Sequence, residues 1–312
     1  MKVLIVCSRN HGRIAPFIEE QVSSLQSLGV EIDYFYIQQK GIWGYLRERN
    51  NLVRKMRSFK PQLIHAHYGL SGLLANLQRK IPVVTTYHGS DINNSKVFLF
   101  SKLNMFFSSY NIFVSQKNLN KSGLTKNQSL IPCGVDIKLF SQIDRLAAIK
   151  KLNLNPDKKY VLFAGSFSNY VKNPELAIVS VELLENVELL ELKGYTREQV
   201  ALLMNAVDVV LMTSFSEGSP QFIKEAMACN CPIVSVPVGD VPDVINEVEG
   251  CYISTYEAAD IVAKLKQALK LEKRTEGRNR IIELGLDSET VAKRILEVYN
   301  RTINDKLSIS NH

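Results

Sequence analysis

Short apolar runs rich in β-branched residues alternate with helix-period stretches along the whole chain, and this alternation most narrows the choice of fold. In the first half "KVLIVCS", "EIDYFYI", "QLIHAHY", "PVVTTYHG" and "NIFVSQ" read as strands, with helical stretches such as 15–28 and 51–59 between them. The second half begins again with "YVLFAGSF" and continues through "VELLELKG", "DVVLMTS" and "PIVSVPVG". Repeated βα units imply parallel sheets covered by helices on both faces. The expected architecture is therefore α/β, with two doubly wound, Rossmann-like domains facing each other across a cleft. The polar stretch "NLNPDKK" suggests a first domain over 1–145 and a second over 146–287. A C-terminal helix within 288–312 is expected to run to about Ile303, to pack back on the first domain, and to end in a frayed tail.

In such sheets ligands bind beyond the carboxyl ends of the strands. There the first domain offers "SRNHGR", "HAHYG" and "HGSD", and the second offers "GSFSNYVKN" and "SEGSP". The last of these opens "SFSEGSPQFIKEAMAC", Ser214 to Cys229, which contains Glu217 and Glu225. Gly218 permits a tight turn, Ser219 suits an N-cap and Pro220 the first helical position. Phe222, Ile223, Ala226 and Met227 fall on one helix face, with Glu225 on the opposite flank. A helix start of this kind attracts anions, phosphate in particular. Glu225 lies roughly 8 Å along the helix, whereas the carboxylates of a retaining hydrolase sit about 5 Å apart. Two acids bracketing a diphosphate fit better, each holding hydroxyls at one end, as a sugar nucleotide requires. The alternative is a capping Glu217 and a solvated Glu225.

The chain has 312 residues, 46% of them hydrophobic, enough for two domains. No apolar stretch approaches the roughly 18 residues that span a bilayer. The opening "MKVLIVCS" lacks a signal-peptide layout. Cys7, Cys133, Cys229, Cys231 and Cys251 show no zinc spacing and read as buried thiols in a reducing cytoplasm. The net charge of +7, from 38 Lys and Arg against 31 Asp and Glu, permits anionic partners. No nucleic-acid motif appears, so nucleic acid is not expected among them. The basic stretch 41–60, carrying Trp43, Tyr45 and Leu46, is either a surface for anionic lipid or a lipid-linked acceptor, or an ordinary solvated helix.

Taken together, these segments resemble the retaining glycosyltransferases of family four, which have the GT-B architecture. "SEGSPQFIKEAMACNCPIVSVPVGDVPDVI" is similar to that family's E-x7-E segment. "HAHYGLSG" and "YHGSDI" are similar to its first-domain motifs, and "IPCGVDIKLF" to its N-G-V-D segment with Cys133 for the usual Asn. "LFAGSFSNYVKNPELAI" resembles the segment that opens its second domain. The likeness runs from Met1 to about Tyr299.

The resemblance implies transfer of a sugar, with retention, from a nucleoside diphosphate donor to a glycan or lipid-linked acceptor in cell-surface polysaccharide synthesis. It implies a cytoplasmic enzyme, peripheral at the membrane, and no cofactor. Lys172 would hold the diphosphate, with Glu217 on the transferred sugar and Glu225 on the ribose. Gly218, Ser219 and Pro220 would bring the ligand to the helix start, and Gly12 and Gly165 would allow close backbone approach. The family's arginine after the loop glycine is here Ser166, so one positive contact is missing, for which Arg9 and Arg13 are candidate substitutes. His88 would reach the donor sugar, and Asp91 lies on the acceptor side or shapes a turn. His65 and His67 share one sheet face and read as structural. No Asp-x-Asp triplet occurs, so metal-independent transfer by a front-face route is expected, with Lys172 and helix dipoles meeting the leaving group. The alternatives are a sugar-nucleotide epimerase of the same architecture and a non-catalytic sugar-nucleotide-binding protein.

Overall fold

The computed structural model describes residues 1–9, 12, 14–271 and 273–310. The chain forms two compact units, one of residues 1–134 with 288–312 and the other of residues 135–287. The first contains strands β1 (Lys2–Ser8), β2 (Glu31–Ile37), β3 (Leu63–His67), β4 (Val83–Tyr87), β5 (Tyr110–Phe113) and β6 (Gln128–Leu130). They pair in the order β2-β1-β3-β4-β5-β6, all parallel. β3 and β4 are buried along their whole length, because helices cover both faces of the sheet. One face meets Ile18, Val22 and Leu25 of the helix Pro16–Ser27. On that same side lie Val291, Ile295, Val298 and Tyr299 of the last helix, Ser288–Ser310, at helical spacing. That helix continues beyond the expected end near Ile303.

The second unit contains β7 (Lys159–Phe163), β8 (Val187–Glu191), β9 (Val209–Met212), β10 (Ile233–Ser235) and β11 (Cys251–Ile253). Their order is β11-β10-β9-β7-β8, again all parallel. Each sheet reverses its winding once. The switch lies between β1 and β3 in the first unit and between β7 and β9 in the second.

The units divide at Gly134, ahead of the "NLNPDKK" stretch and of the expected boundary at 145. The segment after Gly134 belongs to the second unit for a packing reason. Val135 and Phe140 are fully buried in that unit's core, and Val135 bridges Asp287. The Asn205 side chain binds Ser141 O and the Ile143 amide.

Candidate functional site

At the β7/β9 switch of the second unit, two loops are stitched together. Thr213 Oγ1 donates to Lys172 O and Asn173 O at 3.0 and 2.8 Å, and the Phe215 amide donates to Val171 O. Lys172 ends a 3-10 turn, Tyr170–Lys172. Its stem runs against Gly165, where an added Cβ would lie 3.0 Å from Lys172 Cγ, so the glycine leaves the lysine its path. Lys172 Nζ donates to Glu217 Oε1 at 2.6 Å, and both side chains are only partly exposed. The structure thus brings together an ammonium and a carboxylate that lie 45 residues apart in sequence. An aromatic ladder flanks the pair. Phe215 packs against the exposed Tyr170 at 5.4 Å between ring centroids and stacks on Tyr256 at 6.3 Å.

The helix after Glu217 spans Gln221–Ala228, with Pro220 as its N-cap. The expected cap at Ser219 and helical start at Pro220 are therefore corrected by one position. Pro220 takes an extended ψ of 121°, and Ser219 has a different task. Lys224, fully buried, donates through Nζ to Ser219 Oγ at 2.6 Å, and Ser219 Oγ donates to Asp240 Oδ2 at 2.5 Å. Burial pushes the Asp240 carboxyl up, while Lys224 and the Ser219 bond pull it back. Gly239, at φ +61°, lets its loop approach Gly218, whose carbonyl oxygen would sit 2.6 Å from an added Cβ. The sequence reading missed this network. An apolar helix carrying one lysine beside an acid looks amphipathic until the helix is seen to be buried all round.

Glu225 illustrates the same point. The flank on which it was placed is not solvated. It is almost fully buried and pairs with Arg197 at 2.7 Å, and Arg197 in turn lies over the Phe140 ring at 4.7 Å. Burial raises the Glu225 carboxyl above its ordinary range, and the Arg197 guanidinium opposes the shift. Thr196, just before Arg197, closes a capping box with Gln199, which fixes where that arginine starts. Ser166, in the place where the resemblance expects arginine, donates to Glu191 Oε1 at 2.7 Å, as does the Phe167 amide. The slot therefore faces an acid.

In the first unit, His88 lies beyond β4, its ring packed on Phe17 and Tyr68. His88 Nε2 and His67 Nδ1 share a hydrogen bond of 3.0 Å, and Cys133 Sγ is 3.8 Å from His88 Nδ1. His65 bonds Tyr299 and Thr86 inside the core. Burial lowers all three imidazoles, His67 to about 3, so each is neutral at pH 7. Asp91, buried, accepts the amides of Gly69, His88 and Gly89, each at 3.0 Å. Its carboxylate shapes the turn that presents His88. It also borders a largely apolar cavity of about 500 Å³, together with Tyr45, Tyr68, Leu70 and Val97. Arg9 donates through Nε to Gly12 O and lies over Tyr36, with Gly12 at φ +83°. Arg13 lies outside the described residues. None of the five cysteines is disulfide-bonded, and burial pushes Cys7 and Cys229 up to about 12. Among the described residues no cluster of His, Cys, Asp or Glu could hold a metal ion.

Two parallel α/β units with polar switch-point loops define the class, and the comparisons agree. Residues 2–139 match the model "Glycosyltransferase Family 4", and residues 145–271 match "Glycosyl transferases group 1". The chain carries the two domains of a GT-B glycosyltransferase of the family-four kind. It is 26% identical over 204 residues to a D-inositol 3-phosphate glycosyltransferase of Mycobacteroides abscessus, covering 55% of this chain and 46% of that protein. It is 28% identical over 242 residues to an N,N'-diacetylbacillosaminyl-diphospho-undecaprenol alpha-1,3-N-acetylgalactosaminyltransferase of Campylobacter jejuni, covering 65% of this chain and 63% of that protein. The matches thus span about half to two thirds of these relatives' lengths. Among solved structures, a sucrose-phosphate synthase from Thermosynechococcus elongatus shares the fold at TM-score 0.79 and 17% identity, covering 97% of this chain and 99% of that one. HepE of Anabaena in complex with UDP shares it at TM-score 0.72 and 17% identity, covering 96% and 100%.

Proposed function

We propose that this chain transfers a sugar, with retention, from a nucleoside diphosphate donor to a glycan or lipid-linked acceptor in cell-surface polysaccharide synthesis. The observation that carries the reading is the Lys172–Glu217 pair at the switch point of the second sheet. Lys172 is a compact cation suited to a departing diphosphate, and Glu217 accepts hydroxyl donors of the transferred sugar. Gly218, Ser219 and the amides that follow Pro220 supply further donors. Glu225, held by Arg197, is the ribose carboxylate in this reading. The first unit supplies His88, neutral and oriented by His67 and Asp91, together with the cavity beside Asp91 for the acceptor. The transfer is metal-independent, the leaving phosphate helping to take the acceptor proton. A curated relative named for an undecaprenol-linked substrate and a solved neighbour holding UDP support the donor and acceptor classes.

The test is binding and turnover with a panel of nucleotide sugars. Wild type is expected to be stabilised thermally by one donor and to consume it only when acceptor is present. Lys172→Ala and Glu217→Ala should each abolish transfer with the melting transition intact. Full activity in both variants refutes the site. Interconversion of the donor without acceptor identifies an epimerase instead.

A further inference from the structure

The helix Ser95–Phe107 of the first unit is built inside out. Its buried positions include Ser101 and Asn104, whereas Leu99, Leu103 and Phe106 are 70%, 48% and 81% exposed. Those three fall at i, i+4 and i+7, one continuous apolar stripe. The inner face is held by polar bonds and close backbone approach. Ser101 Oγ donates to Asp91 O, and Asn104 Nδ2 donates to Tyr87 OH, each at 2.8 Å. An added Cβ at Gly69 or Gly72 would collide with Ser101 or Asn104. A soluble helix normally docks the other way round.

The surroundings of the stripe are cationic. Lys102 and Lys121 both lie over the Phe98 ring, at 5.6 and 5.1 Å, and Arg79 lies over Phe107 at 4.7 Å. From Arg49 to Val135 the one carboxylate is Asp91, which is buried. The first unit has 21 Lys and Arg against 9 Asp and Glu, net +12, while the second has 17 against 22, net −5. Among the described residues no helix is long and apolar enough to cross a bilayer. An apolar stripe within a basic rim matches a membrane interface carrying anionic lipid.

We infer that the helix Ser95–Phe107 seats the first unit on an anionic bilayer, its stripe among the acyl chains and its lysines at the headgroups. Val97, on the inner face of the same helix with Ser101 and Asn104, lines the cavity beside Asp91. The purpose of this contact rests on the lipid-linked acceptor proposed above, but the contact is read without turnover.

The experiment is co-sedimentation of the full chain with phosphatidylglycerol/phosphatidylcholine vesicles and with phosphatidylcholine alone, at low and high salt. Wild type should bind the anionic vesicles, lose affinity with salt, and bind phosphatidylcholine weakly. Leu99→Glu with Phe106→Glu should weaken binding by roughly tenfold or more per side chain. Lys96→Gln, Lys102→Gln and Lys121→Gln should each cost about fivefold and flatten the salt dependence. Transfer to a soluble, lipid-free acceptor and the thermal melt should be unchanged in all of these. Absence of wild-type binding overturns the inference, as does equal binding by the Glu variants. So does a dimer in sedimentation that the Glu variants dissolve while vesicle affinity stays the same. If vesicles bind as expected but no transfer is found, the enzymatic proposal fails and this one stands.

Discussion

The buried Lys224–Ser219–Asp240 chain gives the sharpest test of how the loop from Glu217 to Pro220 is held. Asp240→Asn keeps a hydrogen-bond acceptor for Ser219 but removes the charge that answers Lys224, which has no exposure to water. Stripping one partner from a buried pair costs about 3–5 kcal/mol, since the remaining charge stays desolvated. Lys224→Met leaves Asp240 in the same position. That carboxyl is already raised by burial, and it rises further once the ammonium is gone. A carboxyl whose folded pKa lies above its unfolded value destabilises at high pH and is relieved as pH falls. The cost of Lys224→Met should therefore shrink between pH 7 and pH 5, by up to about 1.4 kcal/mol per unit. The double variant removes both charges and should lie within about 1.5 kcal/mol of wild type, so the coupling energy is about 4.5 kcal/mol or more in magnitude. Urea melts of the four proteins at the two pH values measure it. Additive single effects, or a Lys224→Met cost that does not change with pH, refute the reasoning.

Three further outcomes follow from the geometry. Arg197→Met should cost about 3–5 kcal/mol by isolating the buried Glu225 carboxylate, with relief as pH falls, measured in the same melts. Gly239→Ala should lower the melting temperature, because its φ of +61° and the 2.6 Å approach to Gly218 O admit no Cβ without a loop shift; the cost is about 1–3 kcal/mol. Acid should destabilise the first unit. His67 stays neutral in the fold down to about 3, so its stability is complete above the ordinary imidazole range and falls by about 2 kcal/mol by pH 5. Asp91, raised to about 6, acts in the opposite sense and returns about 1.4 kcal/mol over that range. His65 and His88 side with His67, so the net change in guanidinium melts from pH 7 to pH 5 is a loss.

The strand and helix alternation was legible because parallel strands buried on both faces, such as "KVLIV" and "PVVTTY", leave continuous apolar runs. The loop positions of Lys172, Glu217 and His88 followed from where those strands end. What escaped was whatever depends on packing from a second direction. The burial of Glu225 and Lys224 was not legible, because nothing in local sequence tells that Arg197 and Asp240 converge on them from segments 28 and 16 residues away. The polar "NLNPDKK" looked like a linker, yet it is a surface loop before β7, while the true crossing at Gly134 is apolar and packed. The stripe on Ser95–Phe107 was hidden because an apolar residue carries no mark of facing outward.

Glu217 answers Lys172 directly, so the ammonium does not stand open to any anion that approaches. A pyrophosphate that draws the ammonium toward itself strips the carboxylate of its mate. On the donor reading proposed above, an intact hexose would mend that loss with its own hydroxyls, whereas the spent nucleotide, lacking the sugar, would leave two negative groups side by side. Loading and discharge would then be told apart by a single contact 2.6 Å long.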